Sequence, residues 1–233
     1  MQRIKFLTAA AAALLTLAAS CGQNAQKQGV EQTTIQKQEL TSADIPGEIP
    51  WQGDLIKGYR YEDNTGENIV ITTESEIMDW IDPENPDEDG GSYKQMWAYR
   101  FQKQGNEWVE VWKFYEIETY CYNFPVADFV KDALSITDLD NNGTAEIWLM
   151  YLQSCPGDPS PIAMYLRMYD NLTIYTMEGT NRMPCPIWKE GGELEFEMQG
   201  GEYTFDNQFL NKNTNPAFVE FAKSLWEKNI EGR

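Results

Sequence analysis

Large apolar side chains recur with a period of two over most of residues 55–205, and that spacing commits the chain to antiparallel β structure. Residues 55–61 alternate, reach the turn Asp63-Asn64-Thr65-Gly66, and are answered by residues 67–73 around Ile69 and Ile71, which predicts a hairpin. Residues 94–103 put Trp97, Tyr99 and Phe101 on one face, and Gln104-Gly105-Asn106 turns them into a second aromatic strand over 108–119. Residues 147–152 are apolar without interruption, as a strand covered on both faces requires. Residues 162–168 alternate again, and Asp170-Asn171 turns them into 172–177. Residues 193–198 present three glutamates on one side, and Gly200-Gly201 is expected to close a hairpin onto 203–205.

Two segments switch to helical spacing. Val126, Phe129, Val130, Ala133 and Leu134 predict a short helix. The last helix is better marked: Asn215 suits an N-cap, Pro216 the first turn, and Phe218, Phe221, Ala222, Leu225, Trp226 and Ile230 line one face. The expected fold class is α+β, mainly antiparallel β: one β-rich domain over 50–233 carrying a C-terminal amphipathic helix.

The N-terminus reads differently. Arg3 and Lys5 precede an apolar run from Phe6 to Ala18, and Ala18-Ala19-Ser20 places small residues before Cys21. This resembles the signal peptide and lipobox of bacterial lipoproteins, with Ala18 where leucine is usual. The resemblance implies a leader over 1–20, acylation of Cys21 and anchorage in a lipid bilayer. Gly22 after the cysteine, in place of aspartate, points to the outer membrane, with the domain facing the periplasm or the surface. Residues 22–49 hold six glutamines and few large apolar groups, so 21–49 is expected to be a flexible tether reaching on the order of 30 Å. Removing 1–20 takes away Arg3 and Lys5 and no acid, which moves the formal charge from −19 to −21.

That charge argues against nucleic acid as a partner, because phosphate must be met by lysine and arginine. The chain has no histidine, which excludes a Ser-His-Asp hydrolase and a histidine-ligated metal centre. Beyond Cys21 three cysteines remain, which allow three alternative single bridges. Cys121–Cys155 is the expected disulfide because both lie where predicted strands run into loops, leaving Cys185 as the free thiol.

One constellation carries chemistry. Asp138-Leu139-Asp140-Asn141-Asn142-Gly143-Thr144-Ala145-Glu146 places oxygen donors at alternate positions, with glycine at the sixth, like the first half of a calcium loop. The expected ligands are Asp138, Asp140, Asn142, Thr144 and Glu146 around Ca²⁺. The twelfth position is Leu149 and the loop runs toward a strand, so this is no EF-hand; it resembles the calcium loops of β-propeller blades. The competing reading is a metal-free turn held by Asx hydrogen bonds. Asp138 and Asp158 are weak candidates for a glycosidase acid pair, which would need a defined carboxyl separation. Trp51, Trp80 and Trp188 are the candidate sugar platforms, and Asp82 to Asp89 a solvated acidic loop.

Taken in order, D-x-x-G-E-N-I at Asp63, D-L-D-x-N-G-x-A-E at Asp138 and C-x-x-D-x-S-P at Cys155 resemble Bacteroidota lipoproteins labelled surface polysaccharide biosynthesis proteins. The resemblance spans roughly 53–180. It implies a part in surface glycan assembly or display and no known catalytic mechanism; the leading expectation is a non-enzymatic module with a glycan or an envelope protein as partner. A glycan-processing hydrolase and a protein-binding lipoprotein are the alternatives.

Overall fold

Alternating aromatic and β-branched residues build two six-stranded antiparallel sheets that pack face to face. The computed structural model describes residues 35–81, 84 and 90–231. Its strands in chain order are β1 (Lys37–Glu39), β2 (Asp54–Asp63), β3 (Gly66–Glu74), β4 (Met78–Trp80), β5 (Gly91–Gln104), β6 (Glu107–Cys121) and β7 (Val126–Phe129). They continue with β8 (Ser135–Thr137), β9 (Glu146–Ser154), β10 (Ala163–Asp170), β11 (Thr173–Thr180), β12 (Arg182–Trp188), β13 (Leu194–Gly200) and β14 (Tyr203–Phe205), before helix α1 (Pro216–Asn229).

The first sheet runs β1-β2-β3-β5-β4, with β6 on the other side of β5. The second runs β14-β11-β10-β9-β7, with β8 also on β9. Strands β12 and β13 form a separate hairpin. The period of two sorts each strand between two cores. Val70, Met96, Ala98, Trp112 and Phe114 face the second sheet and meet Ile147, Leu149 and Tyr151. Trp148, Met150 and Leu152 point the other way, into a core completed by α1 through Phe218, Ala222, Leu225 and Trp226. Burying each of those large helix side chains contributes roughly 1.5–3 kcal/mol. Asn215 caps the helix as expected, its side chain accepting from Ala217 N at 3.0 Å.

Three expectations are corrected. Residues 35–49 are not tether: β1 pairs with β2, and Leu40, Ile45 and Ile49 are buried against Ile69, Ile71, Trp97 and Tyr99 on the outer face of the first sheet. Three apolar residues diluted among glutamines suffice to cover that face. Residues 126–134 are not a helix, because Val126, Val130 and Ala133 enter one core while Ala127, Phe129 and Leu134 enter the other. Burial on both sides mimics helical spacing; β7 pairs with β9 instead, and Asp132 at φ 64° turns the chain afterwards. Finally, β13 pairs with β12 rather than with β14, which adds to β11. The leader, Cys21 and residues 21–34 lie outside the described residues, as does the acidic run at 82–89 apart from Glu84. Among the described residues no helix is long and apolar enough to cross a membrane.

Candidate cation site

The loop between β8 and β9 brings three carboxylates together: one oxygen each of Asp138, Asp140 and Glu146 lies within 4.8 Å of the others. Two of the three, Asp138 and Glu146, are 1% exposed. The loop is shaped by its own side chains. Asp138 Oδ2 accepts Gly143 N at 3.2 Å and Asp140 Oδ1 accepts Asn142 N at 3.1 Å. Asn141 at φ 56° and Gly143 at φ 81° supply the left-handed turns. Glu146, the first residue of β9, is held from behind: Thr137 Oγ1 donates to its Oε2 at 2.6 Å and Leu139 N at 2.9 Å. Trp148 Nε1 in turn donates to Thr137 Oγ1 at 2.8 Å, so the packed indole fixes the hydroxyl that fixes the carboxylate.

One oxygen in this cluster is left over. Asp138 Oδ1 is buried and has no hydrogen-bond partner among the described residues. Nor does any lysine or arginine ion-pair with Asp138, Asp140 or Glu146 there. Two unit charges about 4 Å apart repel by roughly 4 kcal/mol at an effective dielectric of 20. Burial, and then the Asp140 charge, push the Glu146 carboxyl above its ordinary range, and Asp170, opposite Glu146 in the ladder, is raised by burial and by the same aspartate. The donors are all hard oxygens, without imidazole or thiolate, the ligand type that hard cations take.

Two expected ligands are placed differently. The Asn142 side chain is spent inside the loop: Oδ1 accepts Thr144 N at 2.6 Å and Nδ2 donates to Asp140 Oδ2 at 2.8 Å. Thr144 enters the hydrogen bonding of the loop through this backbone N–H. Leu149, at the twelfth position, is buried in β9 and offers no ligand.

A second element clasps the loop. At the β2–β3 turn, Asn64 N donates to Gly143 O at 2.7 Å and Asn64 Nδ2 to Asn142 O at 3.0 Å. Asp63 Oδ2 accepts Ala145 N at 3.0 Å, and its Oδ1 accepts Thr65 N at 2.8 Å. The Asp63 side chain is fully buried beside Arg100, whose Nη2 lies 3.8 Å from Oδ2. The D-x-x-G motif was visible in the sequence, but nothing there linked it to Asp138; only the stacking of the two sheets makes them neighbours.

The acid pair expected for hydrolysis is not assembled. Asp138 precedes β9 and Asp158 follows it, so the nine residues of β9 lie between them, a strand roughly 26 Å long at 3.3 Å per step. Glycosidase carboxyls stand ~5–9.5 Å apart. Asp158 instead accepts from Ser160 Oγ at 2.5 Å in its own exposed turn. Cys121 and Cys155 are joined as a disulfide with Cα atoms 5.3 Å apart, which ties β6 to the end of β9, and Cys185 is buried and free. Of the three tryptophans, Trp188 is 74% exposed, Trp80 meets Tyr120 edge-on at 4.4 Å, and Trp51 packs on the first sheet. No protein family, curated protein or solved structure matches the chain.

Proposed function

We propose that this chain is a non-catalytic cation-binding module, held to the outer membrane through acylated Cys21, whose Asp138–Glu146 loop takes Ca²⁺ in support of surface glycan assembly or display. The observation that carries the cation reading is the unpartnered, buried Asp138 Oδ1 within a cluster of three carboxylates. An uncompensated buried charge is costly, and a divalent cation removes that cost. Asp138, Asp140 and Glu146 would hold the ion, with Thr137 and Leu139 orienting Glu146 and Asn142 fixing the loop. The metal-free Asx-turn reading accounts for the bonds of Asn142 but leaves Asp138 Oδ1 unexplained.

The membrane and glycan parts of the proposal rest on the lipobox-like start and the motif set described above. With a formal charge of −21 after removal of 1–20, the processed chain would approach acidic polysaccharide only through neutral sugars, a local basic patch or bridging Ca²⁺.

The cation reading is tested by melting. For a site of Kd about 10⁻⁴ M, 10 mM Ca²⁺ contributes about 2.7 kcal/mol, which is a rise of roughly 5–10 °C in Tm for a domain of this size. EDTA reverses it. A melt unmoved between EDTA and 10 mM Ca²⁺ refutes the site. Extraction of the native protein with the detergent phase, and its loss on Cys21→Ser, tests the anchor.

A further inference from the structure

Strand β6 ends the first sheet, and among the described residues no strand pairs with its outer edge. The register shows which backbone groups point outward. Gln95, opposite Ile117, directs its N–H to Ser75 Oγ and its carbonyl to Ser75 N, away from β6. Pairs 95/117, 97/115 and 99/113 are therefore the non-hydrogen-bonded ones of the ladder, and Lys113, Tyr115 and Ile117 turn their N–H and C=O groups to the free side. The Ile117 carbonyl is covered there by Gln153 Nε2 at 3.1 Å. Among the described residues nothing bonds those of Lys113 and Tyr115.

Beneath this edge the second sheet projects as a ledge. Trp112 lies over Tyr169, stacked at 4.2 Å, so β6 sits above β10, and β11 and β14 extend beyond it. The step holds two cavities. One, of about 290 Å³, is lined by Trp112, Tyr115, Tyr169, Leu172 and Ile174; the other, of about 370 Å³, by Tyr165, Glu178 and Tyr203. Leu172 in the β10–β11 turn is 76% and Ile174 42% exposed, whereas Met177 on the opposite face of β11 is fully buried. The two ends of the ledge differ in charge. The Ile174 end holds Lys113 and Arg167, the latter ion-paired with Glu116 at 3.0 Å, whereas Glu178 and Glu202 line the other.

We propose that the β6 edge is a strand-addition site for an extended, basic polypeptide segment. It pairs with Lys113 and Tyr115, sets large apolar side chains over Ile174 and Trp112, and sets lysine or arginine over Glu178. A free ladder edge selects a polypeptide, since backbone groups at strand spacing are what it can pair. Charge selects against a second copy of this chain: β6 carries Glu107, Glu110, Glu116 and Glu118 against the single cation Lys113, and each chain is at −19. The same acids favour a basic occupant. The proposal stands without the cation loop.

The test uses the full chain and a dye-labelled nine-residue peptide, TITITKTKT, whose isoleucines and lysines share one face. Fluorescence anisotropy is expected to show saturable binding, with slowed amide exchange at Lys113 and Tyr115. Replacing both lysines by glutamate, or N-methylating alternate residues, weakens binding at least tenfold. Lys113→Pro removes it with an unchanged melt, because that N–H bonds nothing among the described residues. Failure of the parent peptide to bind at millimolar concentration overturns the proposal. So does equal binding of the N-methylated peptide, or binding that leaves exchange at both amides unchanged.

Discussion

The Asp63 carboxylate accepts the Ala145 backbone N–H at 3.0 Å across 82 residues of sequence. That bond joins the β2–β3 turn of one sheet to the acidic loop of the other. Arg100 supplies the balancing charge, 3.8 Å from the same oxygen and 3% exposed, and its guanidinium also donates to Asn68 Oδ1 at 3.2 Å. Asp63→Ala is expected to lower the free energy of unfolding by about 3–5 kcal/mol, the cost of leaving a buried arginine unpaired. Urea denaturation reads the change. A loss under 1 kcal/mol would show that the turn and the loop are not coupled.

Gly143 sits where a larger residue is strained and must displace the Asn64 side chain. Its φ of 81° favours glycine, and a Cβ there would overlap the Asn64 carboxamide. Gly143→Ala is expected to cost about 2–4 kcal/mol by combining backbone strain with that clash. Adding Asn64→Gly should recover the steric part but not the strain, which a double-mutant cycle measures. Strict additivity of the two substitutions would contradict the packing described here.

The sequence made much of this visible, for identifiable reasons. Residues 108–119 alternate because β6 buries Trp112 and Phe114 on one face and leaves Lys113 and Tyr115 exposed on the other, and the helix at 216–229 announces itself through Asn215 and Pro216. Two-sided burial hid β7, since Val126 and Phe129 point into different cores yet share a helical spacing. Pro184 and Pro186 concealed β12, which tolerates proline because it belongs to a lone two-stranded hairpin. The acidic loop was legible as a ligand pattern because alternate positions converge locally. The clasp by Asp63 and Asn64 was not, because it depends on how two sheets stack.

Alkaline pH should unfold the protein cooperatively. Burial raises the phenol pKa of Tyr61, Tyr151 and Tyr169 above the ordinary value near 10. Each group therefore contributes stability that is complete below about pH 10 and lost above it, because the unfolded chain releases the proton first. Absorbance at 295 nm should show these tyrosines ionising together with loss of the near-ultraviolet dichroism. Free titration of every tyrosine near pH 10 in the folded protein would contradict their burial.

The disulfide closes a loop across the sheets with a sequence separation of 34. Loop-closure entropy puts its contribution at about 3–4 kcal/mol. The double substitution Cys121→Ser with Cys155→Ser should lower the urea midpoint accordingly, whereas Cys185→Ala leaves the pattern of thiol labelling in the native protein unchanged. Labelling of Cys121 or Cys155 in the unreduced, unfolded chain would show that the bridge is absent.

The central claim is that Asp138, Asp140 and Glu146 form a cation site, and equilibrium dialysis of the full chain against radioactive calcium tests it most directly. The account predicts one ion per chain, lost on Asp138→Asn, while that variant, freed of one buried like charge, melts no lower than the parent in EDTA. Absence of bound calcium at 10 mM, or undiminished binding in Asp138→Asn, would contradict it.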